Sequence, residues 1–167
     1  GDMAFKKLEW KNGRVIVGST TSKKRSVYVH VDVTASDASL TSIFPVSASG
    51  DLDGGGHFTV AGNLGPLNRE DASLTPLDGR LTINGLNLAA RGFLNPSVGL
   101  GGVVDVNATI ASTNDEREIK GSATISKALL VAGGSPSAQP VTVNFNTTYN
   151  PRKQSGVLEP STLRIGN

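Results

Sequence analysis

Two histidines, His30 and His57, are the side chains best suited to acid–base or metal chemistry in this chain. Imidazole titrates near neutral pH and ligates transition metals. The two lie on different strand-like runs, however, and no third ligand stands near either at a metal-like spacing, so both read as exposed strand residues. Asp51-Leu52-Asp53-Gly54 has the oxygen spacing that opens a calcium loop, but the later oxygen ligands and the closing glutamate are missing. Turn chemistry accounts for it better. Gly99-Leu100-Gly101-Gly102 shares only its glycines with a phosphate loop, since no Lys-Ser/Thr pair follows and the next segment is a strand, so it reads as a loop where backbones approach closely. There is no Gly-x-Ser-x-Gly elbow, and the carboxylates fall mostly in turns, so neither a serine triad nor a carboxylate pair is argued for. Catalysis is not expected, and no metal or cofactor is called for. Lys23-Lys24-Arg25 offers three cations to anionic lipid heads, although such a run in a turn is more often plain solvation.

What remains is scaffold. A chain of 167 residues with 20 glycines fits one domain able to bury a core. Its many valines and threonines favour strands, and stretches amphipathic at helical spacing are scarce. The formal charge of +2 is not gathered into a basic patch with interleaved aromatics, so nucleic acid is not an expected partner. Without cysteine, disulfides and thiolate sites are excluded. No apolar run reaches about eighteen residues, and no signal peptide is recognisable. Gly1 reads as a scar of tag removal, so the chain is expected to be a piece of a longer protein.

The elements follow from period-two alternation. Phe5 to Lys11 and Arg14 to Ser19 flank Asn12-Gly13, which predicts a hairpin with a type I′ turn. Thr20 to Arg25 reads as a solvated turn. Ser26 to Ala35 alternates most cleanly, with Val27, Val29, Val31 and Val33 expected on one face and Tyr28, His30, Asp32 and Thr34 on the other. A second hairpin turns at Asp53-Gly54-Gly55-Gly56, with Pro45 arguing against a central ladder position. Asn84-Gly85 predicts a bulge after Leu81 and Ile83, and Leu88 to Leu94 is the best candidate for a helical turn. A third hairpin joins Val103 to Ser112 with Ile119 to Ser126 through Asn114-Asp115-Glu116. Val141 to Tyr149 alternates again, and Pro160 predicts an edge or a bulge between Val157-Leu158 and Leu163-Ile165. The expectation is all-β: an antiparallel meander of roughly ten strands, folded as a curved one-sided apolar sheet or a partly open sandwich, with at most one or two short helical turns. By periodicity alone the greasy faces would be the inside of a closed sandwich.

An ordered set of short motifs then adds a resemblance. It runs from about Phe5 to Ile165 through Trp10-Lys11-Asn12-Gly13-Arg14-Val15, Phe44-Pro45-Val46, Gly62-Asn63-Leu64-Gly65-Pro66-Leu67 and Thr75-Pro76-Leu77-Asp78-Gly79. It continues through Leu86-Asn87-Leu88-Ala89-Ala90, Gly101-Gly102-Val103-Val104-Asp105, Lys120-Gly121-Ser122-Ala123 and Gly133-Gly134-Ser135-Pro136, then Pro140-Val141. In this order they resemble the AsmA-like proteins of the Gram-negative cell envelope, which include TamB-type relatives. The resemblance implies a curved β-trough with an apolar inside, in the periplasm and tethered to the inner membrane in the full-length protein, serving outer-membrane biogenesis and phospholipid transfer between the two membranes. It also implies phospholipid acyl chains as partners, with inner- and outer-membrane proteins alongside.

The residues expected to line such a groove are Val27, Val29, Val31, Val33, Phe58, Val60, Leu81, Ile83, Val104, Val106, Ile110, Ile125, Val141, Val143 and Phe145. They supply bulk rather than reactivity, each buried lipid methylene being worth about 0.8 kcal/mol. The competing expectation is a closed β-sandwich serving as a structural, assembly or ligand-binding module.

Overall fold

Alternation at period two carries most of the described residues into one sheet. The computed structural model describes residues 4–18, 25–89, 99–131, 133–153 and 155–166. Its strands are β1 (Ala4–Gly18), β2 (Arg25–Ser39), β3 (Phe44–Asp51), β4 (His57–Leu64), β5 (Leu77–Asn87), β6 (Gly101–Thr113), β7 (Glu116–Leu129), β8 (Val141–Asn150), β9 (Ser155–Leu158) and β10 (Thr162–Ile165). Each pairs antiparallel with its sequence neighbour from β1 to β8, and β9 and β10 share the outer edge of β8. The sheet is an open meander, not closed into a barrel. Among the described residues the only helical turn is a 3-10 turn at Ala72–Leu74, with Asp71 as its cap.

Register sorts the two faces. One row runs Trp10, Val33, Ala48, Val60, Leu81, Ala108, Gly121, Phe145 across eight strands. One residue further along, the row on the reverse side is Asp32, Ser49, Thr59, Thr82, Asn107, Ser122, Asn144, Thr162. The prolines fit their places: the β2–β3 ladder stops at Val46, just before Pro45 would need to donate, and Pro160 sits in the break between β9 and β10 at the edge.

Asn12-Gly13 is not a hairpin turn. β1 passes straight through it, and the register steps from Trp10↔Val33 to Gly13↔Val31, three residues against two. Asn12 has φ 54°, and its N–H donates to Asp32 Oδ1 at 2.8 Å. The same device recurs at Asn84-Gly85, where the register steps from Ile83↔Val106 to Leu86↔Val104, Gly85 has φ 71°, and its N–H donates to Asp105 Oδ1 at 2.8 Å. Asn-Gly supplies the left-handed residue that either a type I′ turn or a bulge needs, and only the neighbouring strand decides between them. Replacing Asp105 with alanine is expected to accelerate hydrogen exchange at the Gly85 amide while the Ile83 and Leu81 amides stay protected; unchanged exchange at Gly85 would remove the clamp from the account.

A second kind of bulge corrects the reading of β2. Val29 pairs with Asp51 and Asp32 with Ser49, so one extra residue is inserted between them, and His30 takes φ 51°. The insertion flips the phase. Val31 and Val33 keep the apolar face, but Val27 and Val29 go to the polar one and Tyr28 takes their place, meeting Phe58 edge-on at 5.9 Å. The solvated turn expected at 20–25 and the helical turn expected at 88–94 lie outside the described residues, save Arg25, Leu88 and Ala89.

The core is thin. Ala35, Ala38 and Phe44 are buried, packed by Val46, Leu64 and by Leu67 from the connection between β4 and β5. That connection closes over one end of the apolar face. Elsewhere among the described residues no second sheet and no helix lies against it, and no large side chain is fully buried. The closed sandwich is thereby replaced by a single layer.

Candidate functional site

The apolar face is curled, and side chains from non-adjacent strands meet across it. Five neighbouring strands laid flat would span about 19 Å. Yet Val15 of β1 and Leu81 and Ile83 of β5 line one cavity of about 380 Å³, together with Tyr28, Val31 and Phe58. A second cavity, about 440 Å³, reaches from Leu64 on β4 to Tyr149 on β8 under the β4–β5 connection. Glycines make the curl possible. Gly62 and Gly79 face each other in the middle of this face, and a Cβ on Gly62 would run into Asp78 O and Gly79 Cα. A Cβ on Gly121 would strike Asn107 O. Each collision is with backbone, which has nowhere to move in a paired ladder.

Of the residues expected to line a groove, the structure brings Val31, Val33, Phe58, Val60, Leu81, Ile83, Val104, Val106, Ile110, Ile125, Val141, Val143 and Phe145 onto this one face. Val27 and Val29 are on the other, and Val29 is exposed beside Asp51. The face gains Tyr28, Val15, Leu52, Leu77 and Ile119, none of them in the expected set. Toward the last edge it opens to water, with Leu163 64% and Ile165 61% exposed.

Arg117 also joins it, two residues before Ile119 on β7 and opposite Tyr149. It is 9% exposed. Its Nη1 donates to the carbonyls of Asn114 and Glu116 at 3.1 Å each, and Nη2 donates to Leu74 O at 2.7 Å, which ties down the β4–β5 connection. Period-two alternation with Ile119 was the available signal, masked by the expectation that a charge points to solvent.

The polar face carries the chemistry-bearing groups. His30, Asp51 and His57, on three successive strands, form one cluster: His30 Nδ1 donates to Asp51 Oδ2 at 2.6 Å and His57 Nδ1 to Oδ1 at 2.9 Å. No sequence spacing joins them, because their meeting depends on the bulge at His30. These hydrogen bonds, that from His57 first and that from His30 second, hold the Asp51 carboxyl below its ordinary value. A carboxyl depressed in the folded state stabilises the fold above the usual range near pH 3.9 and loses that contribution as pH falls through the folded value. In a carbon-detected NMR titration Asp51 should titrate below the ordinary aspartate value and move back toward it in His57→Asn; an Asp51 midpoint unaffected by that change would refute the assignment. Among the described residues no group of three His, Cys, Asp or Glu side chains is placed to hold a metal ion.

A hollow of about 520 Å³ also lies on the polar side, bordered by Arg80, Thr82, Asn107, Thr109, Lys120 and Asn144. Size does not decide between the faces. Solvent can satisfy polar groups of this kind, whereas an apolar face has burial to gain from a ligand.

The fold and this face define a class: an open, single-layer antiparallel meander, curled around an apolar surface that the described residues cover at one end only. Comparison with protein-family models, with curated protein sequences and with solved structures gives no match.

Proposed function

We propose that this protein is a non-catalytic β-trough that shelters phospholipid acyl chains along its apolar face, as part of phospholipid transfer and outer-membrane biogenesis in the periplasm of a Gram-negative cell. The observation that carries this is a curled apolar face over which, among the described residues, no second layer lies: β1 to β5 wrap one cavity and β4 to β8 another, on the same face of the sheet. A surface of this kind substitutes for the bilayer interior, and each methylene it takes from water contributes about 0.8 kcal/mol. The ordered motifs resembling AsmA-like proteins support the setting, including tethering to the inner membrane and neighbours in both membranes. The outer edge of β1 carries Lys6, Lys7, Glu9, Lys11 and Arg14, charges of the kind that discourage strand addition, which favours a lipid over a protein strand as the partner.

A photo-crosslinking side chain at Val143, on the apolar face, is expected to capture phospholipid when the protein is expressed in a Gram-negative envelope. The same side chain at Val29, carried to the opposite face by the bulge, is expected to capture none. Equal labelling at both positions, or none at Val143 together with lipid-free native mass spectra, would overturn the reading.

A further inference from the structure

The cavity beneath the β4–β5 connection contains an unbalanced charge. Arg117 stands among Leu64, Leu67, Ile110 and Ile119, and its three hydrogen-bond partners are all neutral carbonyls. Among the described residues no carboxylate lies within 4.0 Å of it. Buried charges are ordinarily paired, since desolvating one without a counter-charge is costly. A guanidinium has five N–H donors, and with three engaged, two remain for a ligand.

Anchoring the connection explains the three carbonyl contacts but not the choice of a cation, because a neutral donor would serve that purpose. Arginine is the side chain suited to phosphate: always charged, more weakly hydrated than an ammonium, and rigid in its donor geometry. Its position also fits one end of an amphiphile. From this cavity the apolar surface runs along β5 from Leu77 to Ile83, which together with Leu81 lines the β1–β5 cavity. The six residue-to-residue steps from Leu77 to Ile83 cover about 20 Å, enough for the hydrocarbon of one bilayer leaflet at about 15 Å.

We infer that Arg117 binds the phosphate of a lipid whose acyl chain lies along β5 toward Phe58 and Ile83. This rests on the trough reading above and adds a polarity to it: the head sits under the β4–β5 connection and the tail points to the β1–β5 cavity.

The test uses three amphiphiles with the same twelve-carbon tail and different heads: dodecyl phosphate, dodecyl maltoside and dodecanoate, each below its micelle concentration, with binding measured by calorimetry. A charge-assisted hydrogen bond in a sheltered site is worth tenfold or more, so dodecyl phosphate is expected to bind at least about tenfold more tightly than dodecyl maltoside. Arg117→Gln should reduce that ratio to less than about twofold, and Arg80→Gln, which removes a charge from the polar face, should leave it unchanged. Because Arg117→Gln also loosens the connection, a second readout uses the unmodified protein: the Arg117 Nε–H resonance should shift saturably with dodecyl phosphate and not with the maltoside. Equal binding of phosphate and maltoside, or a preference for dodecanoate over dodecyl phosphate, would overturn the inference and leave the trough standing. Failure of all three amphiphiles to bind would overturn the trough itself.

Discussion

Replacing Leu81 with aspartate is expected to leave the sheet folded while lowering affinity for dodecyl maltoside by tenfold or more. Leu81 is in the central strand of the meander, between Val60 and Ala108, and lines the β1–β5 cavity. A carboxylate there stays hydrated in the unliganded protein because, among the described residues, no second layer lies over this part of the face, so the stability cost should be about 1 kcal/mol, the ordinary size for a substitution that buries no charge. Binding is different, since an acyl chain laid across the site would strip that water away. Thr82→Asp, one residue on and facing the polar side, is the matched control and should leave affinity unchanged. The two melting temperatures and two affinities together separate the open face from a packed interior. In a packed interior Leu81→Asp would create an unpaired buried charge and unfold the protein, with losses of about 3–5 kcal/mol or more. Retained binding in a folded Leu81→Asp would sink the assignment of this face as the working surface.

The largest stability effect is expected from Gly62→Val. Gly62 and Gly79 are directly opposed in the β4–β5 ladder, and the added Cβ meets the Asp78 carbonyl oxygen and the Gly79 Cα rather than a mobile side-chain tip. Relief requires the two central strands to part. Overpacking of a side chain costs about 1–3 kcal/mol, and because the obstruction here is backbone, the upper end of that range is expected. Gly55→Ala makes a useful contrast, since a Cβ there meets nothing, and its cost comes only from its φ of 107°. Urea unfolding of the two variants tests this, and a Gly62→Val midpoint no lower than that of Gly55→Ala would show that the close approach is not required.

The strand pattern was legible because it is local. Val141, Val143 and Phe145 alternate without interruption, and so do Val104, Val106, Ala108 and Ile110, and their faces follow from the pleat alone. The turns at Asp53–Gly56 and Asn114-Asp115 were legible for the same reason, their glycines and Asx residues lying between alternating runs. What escaped depends on residues distant in the chain. Tyr28 exchanges faces with Val29 only because β3 pairs across the inserted His30. Asn12-Gly13 and Asn84-Gly85 look alike as dipeptides and both form bulges, but the aspartates that clamp them, Asp32 for the Asn12 N–H and Asp105 for the Gly85 N–H, each lie 20 residues further on, beyond the reach of local turn chemistry. Arg117 owes its burial to a carbonyl 43 residues earlier. The site is therefore visible in sequence as a surface but not as a shape.

The paired bulges also make this chain a source of parts for protein engineering. Each comprises a left-handed residue, one register step and an aspartate on the neighbouring strand that holds the step in place, and the two copies work with different sequences around them. Bulges are how designers bend sheets deliberately, and a bulge without a partner group is free to slip. A short Asn-Gly segment with an aspartate at a fixed offset is a bend supplied with its own lock, transferable in principle to a flat designed sheet that has to be given curvature at one chosen rung.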